Sequence, residues 1–319
     1  SIDYLIGYNY RLHSLDCMNL KSKSVTQIVL PGDGPDAIVR LSGIYAQSLD
    51  SVWISDESER AFLIDSAGTI KRTIDLKKYL EEQEQLLINT NYAMFTSHLF
   101  YSSPRHSLMF LVKNTASDTF IVKEIFMDKD DKMATYRLSP SKIIPDMSKG
   151  YAYINFPNVN FVGENIVYNY PVESSIYTLN MRTNERKYIL ADSRYTSNII
   201  EKCTTTGDYA TLEKHWLDPP HFYDVMYLPK YKIYARLHAD KVDFDEKKGV
   251  EKLINERDLY LMLFDEHMEK IGEMKLSNCR YSPFTSWNAT YGGIAFFVDN
   301  ILDEKNDTDD LTIDMIFLK

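Results

Sequence analysis

One unit recurs along this 319-residue chain and restricts its fold more than any other feature: an apolar strand, a polar turn, and a second strand ending in leucine. It is clearest at Ala61-Phe62-Leu63-Ile64-Asp65, turn Ser66-Ala67-Gly68, then Thr69 to Leu76. Further copies run Ile176 to Leu190 across Arg182–Glu185, and Leu259 to Leu276 across Glu266–Glu269. Looser ones run Phe120 to Leu138, His13 to Leu30, and Ile294 to Leu318, the last interrupted by Asp299–Asp310. Asp or Asn commonly stands where the first strand breaks, a position that suits a side chain able to accept from its own backbone. A lone hairpin cannot bury its apolar face, and stacking copies solves that.

The terminal leucines, 30, 76, 138, 190, 276 and 318, are separated by 46, 62, 52, 86 and 42 residues. Four-stranded propeller blades need about 40–50 residues each, so the two long gaps predict insertions, the longer one including the charged stretch Lys241–Asp258. Inner strands are expected at Ser51–Ser55, Ser107–Val112, Asn165–Asn169, Asp224–Leu228 and Lys232–Arg236, and near Ile38–Leu41. Leu76 to Ile88 carries the best helical spacing and reads as a connector. Short strands with turns also fit a sandwich or barrel, but one unit repeated along the whole length favours radial repetition. The expectation is all-β: a single β-propeller domain over 1–319, with six blades of four antiparallel strands near 1–30, 38–76, 92–138, 155–190, 209–276 and 284–319.

Tyr (23) and Phe (15) outnumber Gly (12) and Pro (11), as pleated, half-buried surfaces favour. A net charge of −10 opposes phosphate backbones and anionic lipids, so no nucleic-acid partner is expected. No apolar run approaches the roughly 20 residues that span a bilayer. Cys17, Cys203 and Cys279 lie far apart without zinc spacing, which predicts free, partly buried thiols and no structural zinc.

Gly32-Asp33-Gly34-Pro35, Leu41-Ser42-Gly43-Ile44, Asp50 to Asp56 and Ile64 to Gly68 together resemble one NHL-type propeller repeat. Tyr223-Asp224-Val225-Met226-Tyr227-Leu228-Pro229 with Ile233-Tyr234-Ala235-Arg236 is similar to a pattern in a family of gut-bacterial envelope proteins. That family is a domain-of-unknown-function group of candidate lipoproteins with six-bladed, NHL/TolB-like propellers. Ala235 departs from it, standing where related sequences often carry an aromatic residue. The resemblance implies export to the periplasm or outer-membrane surface. It also implies membrane attachment only through a lipid anchor absent from this sequence, and it brings no catalytic residues.

The densest chemical cluster is Glu213 to Asp224, where His215, Trp216, His221 and Asp224 flank Pro219-Pro220. Read as a loop at a propeller funnel, its imidazoles and carboxylates suit ligand contact or a metal, and Trp216 suits stacking on a sugar. Read as packing, its aromatics fill an inter-blade connection. His98 and Arg105 near the third blade, and Trp287 in the sixth, complete the candidate ligand contacts. Asp299, Asp303, Glu304, Asp307, Asp309 and Asp310 form an acidic tip without the glycine and closing glutamate of an EF-hand. GxSxG, HExxH and SxxK nucleophile or metal signatures are absent.

Two functions follow. The first is a non-catalytic envelope propeller that binds a glycan, peptide or envelope protein without a cofactor. The alternative is a metal-assisted hydrolase, lactonase or lyase, which needs carboxylate, Asn or His ligands converging from several blades.

Overall fold

Each recurrent hairpin closes in the same way, and that closure builds the molecule. In the computed structural model, Asp65, Asn180, Asp265 and Asn19 accept backbone N–H bonds from the turn residues that follow them. At the far end, the N–H of Leu30, Leu76, Leu138 and Leu276 donates to the carbonyl of His13, Glu59, Phe120 and Leu259, sealing each hairpin. These four leucines are buried. Leu190 breaks the pattern at 65% exposure, and Ala191 next to it is buried instead.

The structure describes residues 4–87, 99–128, 132–144, 150–151, 154–203, 208–283, 287–305 and 311–318. Its strands form six antiparallel sheets in chain order. Blade one is β1 (Tyr4–Asn9), β2 (Ser14–Asn19) and β3 (Val25–Val29); blade two is β4 (Leu41–Ser48), β5 (Ser51–Asp56), β6 (Arg60–Ile64) and β7 (Ile70–Asp75). Blade three holds β8 (Glu84–Leu86), β9 (Leu99–Ser102), β10 (Ser107–Asn114), β11 (Thr119–Phe126) and β12 (Met133–Arg137). Blade four is β13 (Asn158–Val162), β14 (Asn165–Asn169), β15 (Ile176–Asn180) and β16 (Arg186–Ile189). Blade five is β17 (His221–Leu228), β18 (Ile233–Ala239), β19 (Leu259–Phe264) and β20 (Lys270–Lys275), and blade six is β21 (Trp287–Ala289), β22 (Ile294–Phe297) and β23 (Ile313–Ile316).

Among the described residues the blades hold three to five strands: blades one and six show three, and β8 and β9 both pair with β10 in blade three. The connector after Leu76 is a single 3₁₀ turn, Leu76–Tyr79, that leads into strand β8 rather than a helix. Ile38–Val39 precede the first strand of blade two, which begins at Leu41. Two helices occupy segments read as loop: α1 (Tyr209–Leu217) and α2 (Val250–Asn255), the latter inside the charged insertion of blade five.

The described residues fall into two compact units, one up to Leu138 and one from Ser139 onward, each carrying three blades. Within each unit the alternation of side chains explains the stacking. On β5, Val52 and Ile54 pack with Leu15, Cys17 and Ile28 of blade one, while Trp53 turns to Tyr101, Leu108 and Phe110 of blade three. Blade five repeats this, sharing Val225, Met262 and Phe264 with Val167 and Ile176 of blade four, and Leu237 and Leu261 with Ile294 and Phe296 of blade six. A middle sheet is thus covered on both faces, which is why its strands read as nearly continuous apolar runs. Cys17 and Cys203 are buried, Cys279 is half-buried, and all three are free thiols.

Among the described glycines, Gly68 marks the tightest approach. Its φ is +77°, and a Cβ there would meet the Val29 carbonyl oxygen at 2.2 Å. Gly34 has φ +85° but open space around it. Gly34→Ala is therefore expected to cost only the left-handed strain of about 1–2 kcal/mol, and Gly68→Ala clearly more, read as the difference in unfolding midpoints. Equal losses would refute the proposed contact.

Candidate functional site

A β-bulge opens β17. Phe222 pairs with His238 and Val225 with Arg236, so Tyr223 and Asp224 together face the single residue Leu237. The extra residue disrupts the ladder and re-aims side chains, a device common beside functional sites. Pro219-Pro220 ends α1 immediately before the strand, and neither proline can donate to a ladder. The bulge sits where β17 lies against β13 and β14 on one side and β21 on the other.

Asparagines of blade four take up the backbone groups that the bulge releases. Asn158 and Asn169, register partners across β13 and β14, both donate to the Phe222 carbonyl, at 3.1 and 3.3 Å. Asn160 donates to the Val225 carbonyl and to the Asp224 carboxylate, both at 2.9 Å. From blade six the Trp287 indole N–H adds a weaker attraction. Burial dominates these hydrogen bonds and pushes the Asp224 carboxyl up to about 6, although the residue retains partial exposure. Asp224 is thus a carboxyl able both to donate and to accept near neutral pH, held between an amide and an indole from two other blades.

Aromatic rings flank it. His221 packs on Tyr223 at 4.5 Å, and Tyr223 meets Trp287 edge-on at 4.7 Å. Burial raises the Tyr223 phenol to about 12 against the opposing pull of Arg257. Arg257 also donates to the Pro219 carbonyl at 2.6 Å and to that of Leu217, anchoring the Pro-Pro corner. Trp287, whose placement the sequence leaves open, is packed, at 5% exposure.

His221, Asp224 and Trp287 are therefore brought together. His215 and Trp216 are held elsewhere, on α1. Asp208 caps that helix by accepting from the Thr211 N–H at 3.1 Å. His215 Nε2 lies 2.7 Å from the Glu201 carbonyl and its ring meets Tyr151, while Trp216 packs with Leu217, Val242, Leu253 and Ile254. Arg105 forms a two-pronged ion pair with Glu124, at 2.6 and 2.9 Å, and reaches the Tyr136 hydroxyl. His98 and the acidic-tip residues Asp307, Asp309 and Asp310 lie outside the described residues. Sequence reasoning missed Asn158, Asn160 and Asn169. The available signal was asparagine, normally depleted in strands, recurring in two adjacent ones. Among the described residues no three of His, Cys, Asp and Glu gather in reach of one metal ion, and no helix is long and apolar enough to cross a membrane.

Six meandering antiparallel sheets in chain order, sharing apolar faces with their neighbours within each unit and carrying a polar site on first strands, define a six-bladed β-propeller. The chain belongs to the family DUF4221, a domain of unknown function, whose model matches residues 3–275. A DUF4221 member from Bacteroides vulgatus is similar in structure, with a TM-score of 0.71 at 12% identity, covering 99% of this chain and 91% of that one. A candidate exported protein of Bacteroides fragilis gives 0.54 at 13% identity, covering 98% and 87%. At such identities the likeness speaks for the fold alone. No curated protein matches the sequence.

Proposed function

We propose that this propeller is a non-catalytic binding protein of the bacterial envelope whose ligand docks at the Asp224 bulge. The observation that carries the reading is a carboxyl held at about 6 by burial while amide and indole groups from neighbouring blades converge on it. An ordinary structural carboxylate is stabilised by its surroundings; this one is kept against them, as strained sites retained for function are. Its chemistry suits an uncharged ligand rich in hydroxyl or amide groups, such as a glycan or a peptide backbone. The metal-assisted alternative requires several ionisable ligands at one point, and the described residues bring one carboxylate to this one.

Probing glycan and peptide arrays with the wild-type protein and Asp224→Asn tests the reading. Specific binding that falls at least tenfold in the variant is expected, and binding unchanged by the substitution, or turnover of a bound compound, would contradict it. Export fits the candidate exported protein among the structural relatives, and we extend it to attachment through a lipid anchor, as the family resemblance implies. Fractionation of producing cells should find the protein with membranes, released by detergent and not by salt; a cytosolic location would refute it.

A further inference from the structure

In the first unit an open cleft of about 920 Å³ lies between blades one and two, lined by Tyr8, Tyr10, His13, Ile38, Val39 and Arg40 together with Gly32 and Leu41. We propose that it is a second ligand site, separate from Asp224, and that it takes an uncharged carbohydrate.

Its volume lies in the range of small-molecule sites, roughly 300–1,000 Å³. Its rim carries an aromatic ring that the fold leaves in solvent: Tyr10 is 74% exposed, yet Arg11 Nε donates to its hydroxyl at 3.3 Å and so restrains it. Val39 beside it is 56% exposed, while Ile38 is buried and forms the floor. An exposed aromatic above an aliphatic floor offers a face to the C–H side of a sugar ring.

The polar half of the cleft is also prepared. His13 closes the β1–β2 turn at φ +50°, as Glu59, His106 and Lys232 close theirs, and this turn carries its imidazole to the cleft. The Tyr8 hydroxyl lies 2.9 Å from its Nδ1, and the two rings meet edge-on, which fixes the imidazole. Its Nε2 is shielded from solvent and has no hydrogen-bond partner among the described residues. A shielded ring nitrogen calls for a partner, and a sugar hydroxyl can serve it as donor or acceptor, whichever tautomer is present. The lining guanidinium, Arg40, is already met by Glu57 at 3.4 Å, so the rim does not demand an anion. Gly32 leaves room beside the imidazole: a Cβ there would rest 3.7 Å from His13 Cδ2.

Isothermal titration with a panel of neutral oligosaccharides (gluco-, manno-, xylo- and galacto-configured) tests the site. Tyr10→Ala removes the exposed ring, and His13→Asn removes the imidazole with a residue that tolerates left-handed backbone. At least one sugar should bind the wild type, with affinity reduced tenfold or more in each variant and unchanged in Asp258→Ala, at a half-exposed ion pair with Lys275 that belongs to neither site. Binding by none of the panel, or binding that survives Tyr10→Ala in a folded protein, would overturn the assignment. Sensitivity to Asp224→Asn alone would overturn it too, while leaving the bulge site standing.

Discussion

Replacing Asp224 with asparagine will stabilise the protein more at pH 8 than at low pH, by about 2–3 kcal/mol, a gain that fades as pH falls from about 6 to below 3.8. The sign follows from a folded-state value near 6 set against an ordinary 3.8. Well below 3.8 the carboxyl is protonated whether the chain is folded or not, so ionisation has no differential effect. As pH rises from 3.8 to 6 the unfolded chain ionises first and gains on the folded one. Above 6 the full cost is present, because the folded protein then holds a charge in a place that burial disfavours. Asparagine keeps an oxygen for the Asn160 amide and removes that cost. Urea unfolding of wild type and variant at several pH values reads the difference, and a variant destabilised at pH 8 would show that Asp224 is an ordinary structural carboxylate. Loss of ligand with gain of stability is the signature expected of a residue retained for binding.

Glu273→Ala will act in the opposite direction and by more, costing about 3–5 kcal/mol at neutral pH, as the removal of one partner from a buried charged network does. The Glu273 side chain is 1% exposed. It accepts from the Ser193 hydroxyl at 2.6 Å and from the Arg194 N–H at 3.1 Å, with His238 Nε2 at 3.1 Å and Lys270 Nζ at 3.2 Å. Burial alone would raise its carboxyl, but these bonds outweigh it and hold the group at about 2. Its contribution is therefore present above the ordinary 4.5 and fades as pH falls toward 2. Next to it, Arg236 is buried between the rings of Phe222 and Phe264 and donates to the Ser174 and Ala191 carbonyls. The network thereby ties the segment after blade four to blade five. By contrast, Asp258→Ala at the half-exposed Lys275 pair should stay within about 1 kcal/mol. Similar losses in the two variants would mean that the buried network does not carry the junction.

The sheets were legible in the sequence because their causes are local. Turn-capping Asp and Asn, apolar runs and closing leucines sit within a dozen or so residues of one another, and each expected outer hairpin is present. What escaped depends on distant partners. Helix α1 was hidden because Pro219-Pro220 made its whole neighbourhood read as loop, although Asp208 and Ala210 to Lys214 suit a capped helix. Leu190 satisfies the spacing, but Ala191 takes the buried position. At the candidate site, His221, Asp224 and Trp287 stood out by residue type. The bulge that joins them could not, since it exists only through the pairing of β17 with β18 and the asparagines of another blade. Arg105 looked available for a ligand because Glu124, its partner, lies nineteen positions away.

The account rests on Asp224 being a carboxyl whose charge the fold resists. Following its side-chain carboxyl carbon by NMR from pH 3 to 8, assigned through Asp224→Asn, measures this directly. A midpoint near 6 is predicted; a midpoint near 4 would contradict the account.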